Sequence, residues 1–173
     1  MTAGAFESEF RRLYLPLGMY ALRLTGDTAT AEDMVQNAFM KTWNAIQEGH
    51  GIKNFQAYIY RAVRNECLKG NPPAAPESLD RMAERAEEAE AVSEEEIDTS
   101  FRDARIWRAI DALPDRCREV FLMSKRDGMS QEEIAEEMGI SIKTVKNQMT
   151  KALSRLRSEL SPHHHRPPFL PFL

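Results

Sequence analysis

Five cations and no anion lie between Lys143 and Arg157, namely Lys143, Lys146, Lys151, Arg155 and Arg157. Ammonium and guanidinium groups at such density suit phosphates and guanine edges, and the interleaved Asn147 suits adenine. Thr144 and Thr150 can bond to either kind of base edge or touch a thymine methyl. A second set, Tyr58, Tyr60, Arg61, Arg64 and Asn65, mixes aromatic and basic side chains. It is open to two readings: packing at the edge of a core, or a grip on single-stranded bases by stacking and charge. Neither set makes or breaks bonds. The chain shows no phosphate-cradling glycine loop, no HExxH and no nucleophile elbow, and its carboxylates fall on solvent faces or in one acidic stretch. No enzyme activity, cofactor or small-molecule substrate is expected. His163, His164 and His165 are consecutive and cannot converge on one metal from one helix face, so no metal site is expected either.

Helices must carry these residues. Ser130 followed by Glu133 makes a capping box, and Ile134, Ala135 and Met138 give a short helix with a narrow apolar stripe. Gly139 fits the left-handed position that ends it, and Ser141 caps a second helix. In that helix Val145, Met149, Leu153 and Leu156 share one face, which turns Lys143, Thr144, Lys146, Asn147, Thr150 and Lys151 outward. Helix, glycine turn, helix is a helix-turn-helix, and its second helix presents its N-terminal half to the major groove. The first helix is acidic (Glu132, Glu133, Glu136, Glu137), so the positive charge is one-sided. Upstream, Ile106, Ala109, Ile110 and Leu113 predict a helix ending at Pro114, and Asp115 is expected to cap the next, with Cys117, Val120, Phe121 and Met123 inside.

The front half also reads as helical. Residues 5–24 place Phe6, Phe10, Leu13, Leu17, Tyr20 and Leu24 on one side, with a kink or break expected at Pro16. After Thr25-Gly26-Asp27, a helix from about Ala29 to Ile46 buries Ala31, Met34, Val35, Ala38, Phe39, Thr42 and Trp43 and offers Glu32, Asp33, Gln36, Asn37 and Lys41 outward. A third, from about Phe55 to Lys69, has Phe55, Ile59, Ala62, Val63 and Cys67 inward and Tyr58, Tyr60, Arg61, Arg64 and Asn65 outward.

The net charge of −4 hides its distribution. Residues 1–68 balance at 7 of each sign, residues 69–100 hold 3 basic against 10 acidic, and residues 101–173 hold 13 against 10. The basic excess coincides with the helix-turn-helix, and segment charge is what bears on partners. From Gly70 to about Ser100 prolines and acids replace aromatics, which predicts a flexible acidic linker, open to being partly helical after Glu77, and either inert or mimicking nucleic-acid charge in a partner's basic channel. The expected layout is all-α: a helical domain at 1–69, the linker at 70–100, a helix-turn-helix bundle at 101–160 and a disordered tail at 161–173. No apolar run approaches about 20 residues and no leader pattern opens the chain, so a cytoplasmic protein is expected. Cys67 and Cys117 read as reduced core thiols.

Taken together, the two halves resemble the sigma-70 superfamily of RNA polymerase sigma factors, specifically the small extracytoplasmic-function (ECF) type. The stretch LRLTGDTATAEDMVQNAFMKTWN (22–44), followed by FQAYIYRAVRNECLKG (55–70), resembles region 2. ALPDRCREVFLMSKRDGMSQEEIAEEMGISIKTVKNQMTKALSRLR (112–157) resembles region 4. The resemblance implies two small helical domains, a three- or four-helix region 2 bundle and a region 4 helix-turn-helix, and promoter-specific initiation with core RNA polymerase. Asp33, Gln36, Asn37 and Phe39 would dock on the clamp helices of the β′ subunit, and the second domain would reach the β flap. The loop 47–54 with Asn54, and the helix bearing Tyr58, Arg61, Arg64 and Asn65, would recognise and melt the −10 element around a flipped-out base. Lys143, Thr144, Lys146, Asn147, Thr150, Lys151 and Arg155 would read the −35 element, with Thr150 standing where a bulkier residue is common. The resemblance further implies promoter DNA and an anti-sigma factor, often membrane-bound, as partners.

The rival is a LuxR-type transcriptional regulator, whose helix-turn-helix EIAEEMGISIKTVKNQ would also suit. That class calls for a strand-containing ligand or receiver domain in front, where this chain reads as helical. An anti-sigma adaptor is a third class and needs no base-reading helix.

Overall fold

The computed structural model describes residues 1–69 and 92–161, which form seven helices and no strand. The all-α expectation holds. The chain divides into two compact units, Met1–Ala104 and Arg105–Leu173. Among the described residues no helix is long and apolar enough to cross a membrane.

In the first unit α1 (Ala3–Thr25), α2 (Thr28–Gln47) and α3 (Phe55–Leu68) pack on one another. Each start is fixed by a side chain that accepts from a backbone N–H left over in the first turn: Thr2 from Ala5, Asp27 from Thr30, Asn54 from Ala57. Gly26, at φ 73°, ends α1 with its N–H on the Leu22 carbonyl. Pro16 does not break α1. It is buried between Leu13 and Leu17, and a packed face on both sides of it outweighs one lost backbone bond. Phe6 and Phe10 close edge-on against Phe39, and Phe6 also meets Trp43 and Phe55. Burial of each such ring contributes about 1.5–3 kcal/mol.

The expected joint at residues 100–101 falls inside a helix. α4 runs Glu94–Asp111, and its residues up to Ala104 belong to the first unit. Ser93 and Glu96 bond reciprocally, each side chain to the other's backbone N–H, so the start of α4 carries a capping box inside the stretch expected to be linker. Val92, Ile97 and Phe101 then pack on the first core. The rest of the expected linker, 70–91, and the tail beyond Ser161 lie outside the described residues. α4 also corrects the reading of Tyr60 as outward: the residue is 0% exposed, stacks edge-on with Tyr20 and hydrogen-bonds the Ser100 hydroxyl. Leu24, expected inside, is exposed beyond the last buried turn.

In the second unit α4 continues from Arg105 into α5 (Asp115–Lys125), α6 (Gln131–Met138) and α7 (Ile142–Leu160). Asp115 is not the cap of α5. Pro114 occupies that position without a side-chain bond, while Asp115 begins the helix and pairs with Arg118 at 3.1 Å. Arg118 in turn donates to the Asp111 carbonyl at 2.9 Å, satisfying the end of α4. The capping box at Ser130/Glu133 and the left-handed Gly139 (φ 62°, ψ 38°) stand as expected. On α7 the buried line is Val145, Ala152 and Leu156, with Met149 half-buried; Leu153 is exposed. Two and three turns of 3.6 residues from Val145 fall on Ala152 and Leu156, and Leu153, one residue past the line, is turned out. Ile106 is exposed likewise.

Ser93 and Ser130 hold Glu96 and Glu133 below the usual carboxylate range, chiefly through the serine backbone N–H in each case. Both folded values lie below the unfolded one, so the caps stabilise above pH of about 4.3 and fade as pH falls through the folded values. Tyr60→Phe should lower unfolding free energy by about 1 kcal/mol in urea titration at pH 7, the net worth of one buried hydrogen bond. An unchanged midpoint would show that the tyrosine hydroxyl does not help hold α4 on the first unit.

Candidate nucleic-acid interfaces

The second unit builds its interface by fixing α7 on three sides. Val120, Ile134 and Val145 are fully buried against one another, and Ile140 folds back with its N–H on the Ala135 carbonyl at 2.9 Å. Ser141 accepts from the Thr144 N–H at 3.1 Å, and the two hydroxyls lie 2.9 Å apart. The outward face carries Lys143, Lys146, Asn147, Thr150, Lys151 and Arg155, all exposed, while Thr144 is half-buried by its cap contact. The Thr150 hydroxyl donates back to the Lys146 carbonyl at 2.9 Å. None of Lys143, Lys146, Lys151 and Arg155 is in an ion pair with another described residue, so the charge is available to an outside anion.

Thr150, Lys151 and Arg155 line a cleft of about 590 Å³ whose opposite wall is Pro114, Arg116 and Cys117 at the start of α5. Arg116 was not singled out from the sequence. A cation in the first turn opposes the positive end of the helix dipole, a cost of about 0.3–1 kcal/mol, and that misplacement was a readable signal. Three cations beside a helix N-terminus suit a phosphate. Cys117 donates to the Gln148 carbonyl at 3.2 Å, tying α5 to α7, and burial pushes its thiol up, so it stays protonated.

In the first unit a cavity of about 520 Å³ opens between α2, the 50–54 loop and α3. Asn54, Tyr58 and Arg61 line it, so three of the five residues expected at the −10 element come together. Burial pushes the Tyr58 phenol up, and a neutral ring is suited to stacking. Arg64 lies elsewhere: it is one helical turn from Tyr60 and meets Glu96 of α4 at 3.4 Å. Asn65 lines no part of the cavity, and its carbonyl accepts from the Lys69 N–H. The residues not foreseen are Lys41 and Glu66, which face each other across the cavity wall.

On α2, Asp33 and Gln36 are exposed and Asn37 is half-buried. Phe39 is 3% exposed in the aromatic core and offers no surface to a partner, because the helix turns it toward Phe6 and Phe10. The exposed face instead continues to Met40, 62% exposed, at helical spacing from Asp33, Gln36 and Asn37.

A helical unit with a loop-bounded cavity, followed in the chain by a basic helix-turn-helix, has the make-up of a DNA-binding protein. Family profiles for sigma-70 region 2 and sigma-70 region 4 match residues 10–70 and 103–156, together more than half of the chain, which therefore belongs to the sigma-70 family. Three curated relatives illustrate the likeness. The probable RNA polymerase sigma factor RfaY of Xanthomonas campestris pv. campestris is 27% identical over 146 residues, 81% of this chain and 36% of RfaY. The ECF RNA polymerase sigma factor SigE of Mycolicibacterium smegmatis is 28% identical over 154 residues, 83% of this chain and 56% of SigE. SigL of Mycobacterium tuberculosis, also an ECF sigma factor, is 29% identical over 145 residues, 83% of this chain and 82% of SigL. The chain thus spans little more than half of SigE and about a third of RfaY.

Lysines and arginines on phosphates act by releasing counterions, at about 0.9 in the logarithmic salt slope for each contact. Replacing Lys151 and Arg155 together with alanine should reduce the salt slope of DNA binding by about 1.8, measured by fluorescence anisotropy across a salt series. A slope that does not move would place both side chains off the phosphates.

Proposed function

We propose that this chain is an ECF-type sigma factor: it binds core RNA polymerase in the cytoplasm and directs promoter-specific initiation, by binding rather than catalysis. The observation that carries the reading is the pairing of two distinct surfaces in one family frame. One is a basic helix with unpaired Lys143 and Lys146 flanking its N-terminal half, suited to the −35 duplex. The other is the cavity bounded by Asn54, Tyr58 and Arg61, suited to a base displaced from the −10 element. The LuxR-type alternative loses its support, since the front of the chain is helical and matches sigma region 2.

Two small surfaces of this kind bind weakly alone. With about four phosphate contacts the expected salt slope is about −3.6, modest for a free DNA-binding protein. Attachment of both to one large enzyme raises the effective concentration of each at its half of the promoter. The face of α2 with Asp33, Gln36 and Met40 is the surface we assign to the clamp helices of β′, and the β flap falls to the second unit. An anti-sigma factor would act by covering one of these surfaces.

Run-off transcription with core polymerase tests the reading. The intact chain should initiate at a defined promoter, and Lys146→Ala/Asn147→Ala should abolish −35-dependent product while core binding persists. Met40→Asp should do the converse, weakening core binding by about 1–2 kcal/mol for a buried apolar contact replaced by a charge. Product unaffected by the helix variant would remove the sigma reading and favour an adaptor. Strong sequence-specific binding by the free chain would also count against it.

A further inference from the structure

Two arginines of the first unit converge on one residue of α4. Arg64 meets the Glu96 carboxylate at 3.4 Å, and Arg23 donates to the Glu96 carbonyl at 3.3 Å. Arg23 also meets Asp103 at 3.6 Å. Neither ion pair is short, both are partly open to water, and such pairs hold weakly. The surface beneath them is polar as well. The Tyr60 hydroxyl bonds the fully buried Ser100, and the Tyr20 hydroxyl, near Arg64, is buried without a well-formed hydrogen bond. A contact made to last favours phenylalanine and alanine at such places, since a buried hydroxyl without a partner carries a cost that water would remove. Residues 92–102, which bring Val92, Ile97 and Phe101 onto this surface, lie between the spans matched to the two sigma regions, 10–70 and 103–156. They are seated on the first module without being part of either. Were α4 to lift, two guanidiniums would be left within one glutamate's reach of each other, at the edge of two tyrosines and without that glutamate. Guanidiniums suit phosphates, and aromatic rings beside arginine suit a single strand. Arg61, on the cavity wall, is one helical turn from Arg64, so the covered patch continues the path of the cavity along α3.

Resting on the reading of the first unit as the one that holds single-stranded DNA, we infer that the first turns of α4 are an autoinhibitory latch: the carboxylates of Glu96 and Asp103 occupy Arg64 and Arg23 in place of strand phosphates. In the free chain the patch is covered, and the first unit grips a strand poorly. With the latch lifted, each arginine takes a phosphate. α4 runs on without a break past Ala104 into the second unit, so a partner that takes hold of that unit can also draw the latch off.

The test is binding of fluorescein-labelled oligothymidylate to the full chain, followed by anisotropy across a salt series. Glu96→Gln/Asp103→Asn removes both carboxylates and keeps the helix start, since glutamine also serves in a capping box. It should tighten binding about tenfold, and two added phosphate contacts should steepen the logarithmic salt slope by about 1.4. Glu94→Gln/Glu95→Gln, an equal change of charge at exposed positions of the same turn, should tighten binding less than about twofold. Adding Arg23→Ala/Arg64→Ala to the first variant should abolish the gain. Unchanged affinity, a gain without a change in slope, or a gain that survives loss of both arginines overturns the inference. So does a first variant that binds poly-glutamate more tightly than the oligonucleotide, which would make the patch a site for an acidic protein. Run-off transcription tests the sigma reading apart from this. Wild-type product with no gain in the variant leaves that reading standing without the latch, and the converse leaves the latch without that reading.

Discussion

The first unit is governed by a demand on α3, fourteen residues that must serve two neighbours at once. One side, Phe55, Ile59, Tyr60 and Val63, is buried in the core with α1, α2 and the first turns of α4. The flank with Tyr58, Arg61 and Ala62 is held open as a cavity wall, and Glu66, seven residues on from Ile59 and buried, closes its edge. The two duties are compatible because an α-helix repeats every 3.6 residues, so positions 58, 61 and 62 stay off the face that 59, 60 and 63 occupy. Rigidity on the packed side is what gives the open side a fixed geometry. Where alanines (Ala57 and Ala62) line the cavity the α3 backbone itself lies close to the open space, and that backbone is anchored by the buried rings of Phe55 and Tyr60 two and three residues away.

The second unit solves a different problem with the same means. α7 must expose an almost continuous row of cations, which repel one another, and still be pinned. Its burial rests on a narrow line, Val145, Ala152 and Leu156, and on caps at its start rather than on ion pairs. Leaving the cations without carboxylate partners costs little folding energy, because exposed pairs contribute only about 0–1 kcal/mol. It also keeps them ready for phosphate. The acidic face of α6 lies on another helix, where its charge does not cancel the row.

The sequence spoke clearly where local rules decide and poorly where tertiary contacts do. Ser130, Glu133, Gly139 and Ser141 were legible because caps and a left-handed turn depend on a few adjacent residues. At Pro16 local geometry allows a kink or a break, and packing on both flanks carries α1 through it without a break. Tyr60 and Arg64 misled together: both belong to the face that α4 covers, and α4 begins in a stretch whose acidity hid an apolar stripe of Val92, Ile97 and Phe101. Phe39 was read twice, as core and as docking residue, and burial decides for core. Lys41 and Glu66 are 25 residues apart, so no periodicity could join them.

The placement of Arg64 has a consequence for how the first unit divides its work. Arginine on α3 can meet DNA or meet Glu96, and in this structure it meets Glu96 at 3.4 Å while Arg23 donates to the Glu96 carbonyl at 3.3 Å. Arg23 also pairs with Asp103 at 3.6 Å, and Arg12 lies over the Phe101 ring at 5.9 Å. Three arginines of the first unit therefore hold α4 rather than project into solvent. Each contact is half-exposed and weak alone, but together with Tyr60 and Phe101 they make α4's first turns part of the domain. Positive charge that composition would credit to nucleic-acid binding is thus consumed in assembly.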